Sequence, residues 1–237
     1  MRKKTSVLAV RPKNAGAVAV PVRRTQAERR QETRAALLEA ALAQLVDAGL
    51  ASFTTPEVCR RAGVSQGALF KHFATKSELL AAVAEHLFDQ LRIRYATGYA
   101  ALAPSERTIQ GALGLLWEQM LDERLAAAFE LYTAARTDLE LGSRLAPVVR
   151  AHILEIEAFT ATLVDLGDPE RVRSATGLAI AAMQGLVLNQ MALPEPGQLA
   201  RLQRDLDVLG ALLLATASSG SAPRAVMTKR PARRSHA

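Results

Sequence analysis

Residues 54–73, TTPEVCRRAGVSQGALFKHF, predict a helix, a tight turn and a second short helix. Thr54 and Glu57 are three residues apart, the spacing of a capping box in which each side chain bonds the other residue's backbone N–H. Gly63 can adopt the positive φ that ends a helix, and Ser65 is a suitable N-cap for the next one. The stretch therefore predicts two consecutive helices with a short turn between them.

The second of these helices carries a face suited to reading DNA. Apolar residues at helical spacing would pack the two helices together, namely Val58, Ala62, Val64, Leu69 and Phe73. The open side is then left with mostly small, polar and basic residues, namely Gln66, Gly67, Ala68, Phe70, Lys71 and His72. A short helix with such a face fits the major groove, where side chains contact base edges.

This stretch resembles the N-terminal DNA-binding domain of the tetracycline-repressor (TetR) family of bacterial regulators. The resemblance is carried by Thr54 and by residues 62–65, 67–73 and 76–80, and it is specific from about 33 to 83. Together with the open face, it implies DNA contacts from Thr54, Ser65, Gln66, Gly67, Ala68, Phe70, Lys71, His72 and Lys76. The family usually has a tyrosine where this chain has Phe70, so a hydroxyl contact to a phosphate is not expected there.

Lys76 is the residue whose position argues for a phosphate contact of its own. Thr75 and Glu78 predict a second capping box that opens a fourth helix running to about Thr97. Lys76 falls in the first turn of that helix, where the helix dipole disfavours a cation. A phosphate bound at the free N–H groups would offset this cost.

Composition predicts an all-α protein of two parts with about nine helices. Ala and Leu dominate the 237 residues and favour helix, and no strand-like alternation interrupts them. We expect a DNA-binding domain with its connecting fourth helix at 26–97, and a helical ligand-binding and dimerisation domain at 98–217. The first helix is predicted from Gln26 to Ala48, with a break between domains at 98–104. Five further helices are predicted at 105–121, 123–137, 142–166, 168–193 and 197–217.

Both ends of the sequence are basic and are predicted to be disordered. Residues 1–34 hold ten Lys or Arg against two Glu, and 218–237 hold five and no acid. Residues 98–217 instead hold nine basic and fifteen acidic residues. A disordered arm at 1–25 and a tail at 218–237 would attract DNA phosphates through counterion release. Solvated tails that aid solubility explain the same composition equally well.

The last two predicted helices favour a homodimer. The final one carries leucines at alternating three- and four-residue steps, namely Leu199, Leu202, Leu206, Leu209 and Leu213, a spacing typical of a helix-to-helix seam. In the helix before it, Gly177, Ala181 and Gly185 fall four residues apart and would allow close packing. An ordinary monomeric core is the alternative, but the family pairs these two helices with their copies as a four-helix bundle.

The other C-terminal helices are predicted to enclose a site for a small, largely apolar ligand. Aromatic residues and Met with a few polar tips cluster on them, namely Trp117, Met120, Phe129, Tyr132, His152, Phe159, Met183 and Gln184. Such a lining is usual for ligand pockets. Taken singly, each of these residues is more often plain core; only the collection, within the resembling fold, favours a ligand site.

No enzyme motif, cofactor motif or metal-ligand spacing appears in the sequence. Cys59 is the only cysteine and excludes an intramolecular disulfide, and no apolar stretch is long enough to span a membrane comfortably. We therefore expect a cytoplasmic, nucleoid-associated bacterial regulator without cofactor or metal. A repressor released from a palindromic operator by its ligand is favoured. The alternative is a helical small-molecule-binding protein or enzyme whose helix-turn-helix is idle.

Overall fold

The computed structural model describes residues 25–163 and 168–192, together with residues 204, 205, 207, 208, 210–212 and 215. In the first two ranges the chain forms helices and no strand, so the all-α prediction is confirmed. The elements are α1 (Gln26–Ala48), a 3₁₀ turn (Leu50–Ser52), α2 (Thr55–Ala62), α3 (Gln66–Phe70), α4 (Lys76–Ala101), α5 (Ile109–Met120), α6 (Arg124–Ala135), α7 (Leu139–Leu163) and α8 (Pro169–Ala192).

The helices α1, α2 and α3 form the N-terminal head, and α1 has the bounds predicted from the sequence. Thr25 and Glu28 cap its start reciprocally, since each side chain accepts the other residue's N–H, at 2.7 and 3.2 Å. Gly49 ends it with a φ of 70° and a ψ of 170°, a backbone region that only glycine populates freely. Local sequence signals are sufficient to place this helix.

The predicted packing of α2 against α3 is confirmed by the burial of the apolar residues between them. Val58, Leu69 and Phe73 are at most 2% exposed, while Ala62 and Val64 are partly buried against the same core. Between the helices, Gly63 has a left-handed φ of 67°. This packing holds α3 at a fixed angle with its other side free.

The predicted capping box between Thr54 and Glu57 is wrong, because Glu57 has stronger partners. Thr54 stands at the N-cap position but its side chain makes no capping hydrogen bond. The Glu57 carboxylate instead accepts hydrogen bonds from Arg60 and Arg61, with N···O distances of 2.6 to 2.9 Å. These hydrogen bonds lower the pKa of Glu57 to about 2, and the bond from Arg60 has the largest effect. Two guanidinium groups one turn later outcompete a backbone N–H for the carboxylate.

The start of α4 is capped in a way that only half matches the prediction. The Thr75 hydroxyl accepts the Glu78 N–H at 3.1 Å, as expected. The Glu78 carboxylate accepts the N–H of Ala74 at 2.8 Å rather than that of Thr75. The helix still begins at Lys76. The Thr75 hydroxyl accepts one N–H of its first turn, and the Glu78 carboxylate accepts a backbone N–H one residue before the expected one.

The predicted end of α4 at Thr97 is wrong, since the helix continues through Gly98 to Ala101. A Cβ at Gly98 would lie 3.3 Å from Leu115 Cδ2 of α5, so this glycine allows the two helices to approach closely. The helix ends where the Arg107 side chain donates to the carbonyls of Ala100 and Leu102, at 2.8 and 3.1 Å.

Two further helix starts differ from the prediction, and α8 does not. The helix α5 begins after the cap Thr108 rather than at 105. The helix α7 begins at Leu139 rather than at Gly142, and Asp138 accepts the Leu141 N–H at 2.9 Å. A Cβ at Gly142 would stand only 2.8 Å from the Ala135 carbonyl oxygen, so this glycine serves the tight α6–α7 turn. At α8, Asp168 caps the helix as expected.

Some predictions lie outside the described residues. They are the two basic termini and the five leucines of the predicted seam; of the last helix at 197–217, eight residues between 204 and 215 are described and are helical. Along the described part of the chain, no helix has the length and apolarity needed to cross a membrane.

Candidate functional site

The open side of α3 presents the residues that the sequence predicted for it. Gln66, Gly67 and Lys71 are exposed, Ala68 and His72 are half-buried, and Phe70 is 48% exposed. Thr54 and Ser65 are exposed at the two helix starts. The Ser65 hydroxyl accepts the Ala68 N–H at 3.2 Å, which caps α3 as expected.

Two arginines of α1 add positive charge beside the end of α3. The guanidinium of Arg34 stands 5.4 Å from the ring centroid of Phe73. Burial first, and then the charges of Arg30 and Arg34, lower the pKa of His72. The same positive charges would attract a DNA phosphate. Arg30 and Arg34 of α1 therefore add positive charge around His72, which follows Lys71 in the sequence.

Lys76 has a partner inside the chain. Its Nζ donates to the Phe53 carbonyl oxygen at 2.9 Å and lies 5.3 Å from the centroid of the Phe53 ring. These contacts offset the unfavourable position of a cation in the first turn of α4. The dipole argument therefore does not require a phosphate at Lys76, and the phosphate contact stays a prediction.

Among the residues that the structure describes, no neighbour gives Gly67 a steric reason to be glycine. The nearest heavy atom to a Cβ built there is Ser65 Oγ at 3.9 Å, an ordinary contact distance. A glycine within a helix costs about 1 kcal/mol relative to alanine. Gly67 is exposed in α3, so its backbone is open to close approach from outside.

Behind the head, α4 to α8 enclose a cavity of about 770 Å³. Six of the eight predicted ligand residues line it, namely Met120, Phe129, Tyr132, His152, Phe159 and Gln184. Sequence reasoning missed the wall contributed by α4, which includes Phe88, Leu91, Arg92 and Tyr95. The spacing of these four residues, i, i+3, i+4 and i+7, is one helix face, and it was visible in the sequence.

Trp117 and Met183 do not line the cavity, in contrast to the prediction. Trp117 is 6% exposed and Met183 is fully buried, and both pack in the hydrophobic core. On α5 the cavity is lined by Leu113, Leu116 and Met120, and Trp117 lies on the adjacent face. Neighbouring helix positions are about 100° apart, and an apolar pattern alone does not separate a cavity face from a core face.

Five aromatic side chains and a histidine of lowered pKa contribute to the cavity wall. Phe88, Tyr95, Phe129, Tyr132 and Phe159 line it, half of the ten aromatic residues in the chain. The His152 ring stacks on Phe88 with centroids 4.1 Å apart. Burial, and secondarily the charge of Arg92, lower the pKa of His152 to about 4. Its Nδ1 is buried and has no hydrogen-bond partner within the described part of the chain.

The charged groups at the cavity wall are paired with each other. Arg92 of α4 forms ion pairs with Asp89 on its own helix and with Glu155 on α7. Both Arg92 and Glu155 line the cavity. A ligand would meet a compensated pair there rather than a free charge, so the wall suits an apolar molecule with aromatic character.

Comparison with known proteins decides the family. The model of bacterial regulatory proteins of the tetR family matches residues 37–83. The HTH-type transcriptional regulator CymR of Pseudomonas putida is 39% identical over 137 residues, which cover 58% of this chain and 68% of CymR. This chain belongs to the TetR family of bacterial regulators.

Other TetR-family comparisons extend over more of the chain. The HTH-type transcriptional repressor Rv3405c of Mycobacterium tuberculosis is 30% identical over 66% of this chain and 84% of its own length. A transcriptional regulator of Rhodococcus sp. Rha1 superposes with a TM-score of 0.60 and 25% identity, covering 77% of this chain and 96% of that one. The multidrug binding protein EbrR, solved with ethidium, shares the fold at 22% identity and a TM-score of 0.58 over 78% and 98%.

As a TetR-family member the chain is a DNA-binding transcriptional regulator with a helix-turn-helix. Across the residues that the structure describes, no group of three or more His, Cys, Asp or Glu side chains could hold a metal ion.

Proposed function

We propose that this regulator is a homodimeric repressor that a small, largely apolar ligand releases from a palindromic operator. The observation that carries the proposal is the double role of α4. The helix starts at Lys76, directly after the α3 segment, and Phe88, Leu91, Arg92, Ile93, Tyr95 and Ala96 along it line the cavity. A ligand in the cavity therefore contacts the same helix that carries the DNA-binding head.

For the DNA contacts, we propose base reading by Gln66, Gly67, Ala68 and Phe70, with phosphate contacts from Lys71 and Lys76. His72, Ser65 and Thr54 complete the face. The open space at Gly67 supports this assignment, because a base edge or a phosphate could approach the backbone closely there. Paired heads would enter successive major grooves about 34–36 Å apart, which requires an operator with two half-sites.

For the dimer, we propose that the exposed face of α8 packs against its copy, together with the last helix. Gly177, Ala181 and Gly185 are exposed on α8, and a Cβ at either glycine would meet nothing within 4 Å. Gly177 and Ala181 also line the cavity, so the proposed interface adjoins it. On the same helix, Leu178 and Leu188 are 58% and 46% exposed. Exposed leucines beside a stripe of small residues favour a packed interface over a solvated surface.

For the ligand, we propose a molecule with an aromatic ring and without an unpaired charge. Five aromatic residues and the neutral His152 supply stacking surfaces and one polar edge. Tyr132, whose pKa burial raises to about 12, keeps its proton as a hydrogen-bond donor. A related repressor, Rv3405c, supports the sign of regulation. EbrR, which shares the fold, was solved with ethidium, an aromatic cation, and supports only the aromatic part of the proposal.

The proposal is tested by titrating a ligand in the presence and absence of operator DNA. A ligand that prefers the state with wrongly spaced heads must bind more weakly when operator is present, by the factor with which it weakens operator binding. N-phenyl-1-naphthylamine, an uncharged aromatic fluorophore, is a suitable first probe. Equal probe affinities with and without operator would contradict ligand control through this cavity.

The competing function is a small-molecule-binding protein or enzyme whose helix-turn-helix is idle. A gel shift against the DNA upstream of the chain's own gene separates the two. Retardation that depends on sequence and on salt supports the regulator, acting in the bacterial cytoplasm on nucleoid DNA. Retardation of all sequences alike would support the competing function.

A further inference from the structure

Besides the continuous helix α4, two carboxylates connect the head to the helices that carry the cavity. Glu130 of α6 accepts the backbone N–H of Leu50 at 2.6 Å. Glu140 of α7 accepts the Thr75 hydroxyl proton at 2.7 Å. We call these two hydrogen bonds the carboxylate clasp. Leu50 opens the 3₁₀ turn between α1 and α2, and Thr75 lies between α3 and α4, so the clasp holds the head at two separate turns.

The head is built to receive the Glu130 carboxylate closely. Gly49 precedes Leu50, and a Cβ at Gly49 would lie 3.2 Å from Glu130 Oε2 and 3.3 Å from Oε1. The positive φ of Gly49 turns the chain so that the Leu50 N–H leaves the end of α1. A bond from a backbone N–H to a carboxylate is charge-assisted and short. It fixes the turn relative to α6 more tightly than apolar contact alone.

Glu130 is connected to the ligand cavity through neighbouring residues of α6. Its neighbour Phe129 is 8% exposed and lines the cavity, as does Tyr132. A ligand that displaces the Phe129 ring therefore acts one residue from the clasp. Glu140 is farther away, because the first cavity residue of α7, Val149, follows nine residues later, about 14 Å along a helix.

We propose that Glu130 transmits the state of the cavity to the DNA-binding head, with Glu140 as a second anchor. This inference rests on the proposed function, since it specifies how the cavity is coupled to the head. In the ligand-free protein the clasp holds the heads at the orientation that fits the operator. A ligand against Phe129 shifts α6, lengthens the Glu130–Leu50 bond and releases the turn.

Three variants of the full-length protein test the assignment. Glu130→Ala removes the acceptor. Glu130→Gln removes the charge and keeps an oxygen that accepts the Leu50 N–H. Glu123→Gln is the matched control, because it removes one exposed carboxylate from the start of the same helix. Each variant is measured for operator affinity, for the salt dependence of that affinity, and for affinity toward N-phenyl-1-naphthylamine with and without operator.

Glu130→Ala is expected to weaken operator binding about tenfold, from one lost hydrogen bond in each head of a dimer, with an unchanged salt slope. Its probe affinity should no longer depend on operator, whereas Glu130→Gln and Glu123→Gln should behave as the wild type. Circular dichroism confirms that each variant is folded. Hydrogen exchange at the Leu50 amide should be fast in Glu130→Ala and slow in Glu130→Gln.

The outcomes separate this inference from the function on which it rests. If the wild type shows no coupling between probe and operator, ligand control through the cavity is wrong. The role of the clasp in orienting the head is then tested by the operator affinity of Glu130→Ala alone. If the wild type is coupled and Glu130→Ala remains coupled with wild-type operator affinity, the clasp assignment is wrong. Wild-type behaviour of Glu130→Ala in both measurements overturns it in either case.

Discussion

Substitutions of Lys71 and Lys76 give the sharpest test of how the head contacts DNA, because the two side chains have different surroundings in the structure. Lys71 is exposed at the end of α3, and the charges of Arg30 and Arg34 act on its neighbour His72. Lys76 is also exposed, but its Nζ donates to the Phe53 carbonyl oxygen and lies over the Phe53 ring. Lys71→Ala should therefore affect DNA binding alone, whereas Lys76→Ala should affect DNA binding and stability.

The magnitude for Lys71→Ala follows from counterion release. Each phosphate contact contributes about 0.9 to the slope of log K against log salt concentration. A dimer loses two contacts, so the slope should become less steep by about 1.8. The affinity gap between wild type and variant should then shrink about tenfold between 50 and 200 mM salt. The loss should be equal for operator and unrelated DNA, since phosphates carry no sequence information.

Lys76→Ala should flatten the salt slope by a similar amount and also lower the free energy of unfolding. A charge-assisted hydrogen bond and a cation–π contact at an exposed site are together worth about 1 kcal/mol. For a chain of this size that shifts the thermal midpoint by about 2–4 °C. Fluorescence anisotropy at four salt concentrations and thermal unfolding measure both effects.

An unchanged slope in Lys71→Ala would refute the placement of this end of α3 against the phosphates. Losses that differ between operator and unrelated DNA would instead assign Lys71 to base reading. A thermal midpoint unaffected by Lys76→Ala would show that the Phe53 contacts contribute nothing, and the phosphate would regain its role as the sole reason for a cation there.

Three further predictions concern single sites. Ala68→Glu places a carboxylate toward base edges or phosphates and should abolish operator binding in gel shifts, while the thermal midpoint stays unchanged. Gly49→Ala should cost about 1–3 kcal/mol in urea unfolding, because its ψ of 170° leaves it in a glycine-only region; Gly63→Ala, left-handed with open space around it, should cost about 1–2. The pKa of His152, lowered to about 4, means that the unfolded chain binds a proton the folded one does not. Stability should thus fall as pH drops from about 6.5 to 4, and less so in His152→Phe.

Helix identities were predictable from the sequence, but several boundaries were not. Some glycines are required for close packing against another element rather than for the local backbone conformation. From the sequence, Gly98 and Gly142 are both expected at helix boundaries. In the structure each lies inside a helix, where a Cβ would crowd Leu115 in the first case and the Ala135 carbonyl in the second. Gly49 and Gly63, which do end helices, have positive φ. Sequence alone does not distinguish a glycine needed for φ from one needed for space.

The exposure of the candidate DNA face could be predicted because its determinants are local. Ser65, Gly63 and the apolar residues between α2 and α3 fix α3 within a few residues of chain. The cavity depends on contacts between five helices, and there the prediction was less complete. Trp117 and Met183 were assigned to it from composition, and the contribution of α4 was missed.

The double role of α4 explains why the clasp matters for control of the head. From Thr75 to the cavity residues at 88–96, α4 runs 13 to 21 residues, about 20–30 Å. A helix of that length resists stretching, and the hydrogen bond from Gln90 to Glu39 of α1 ties it to the head along its length as well. Glu130 and Glu140 add attachments at two other turns. These two bonds hold the head in addition to the contacts of α4, so we expect that weakening one of them reorients the head without breaking the helix.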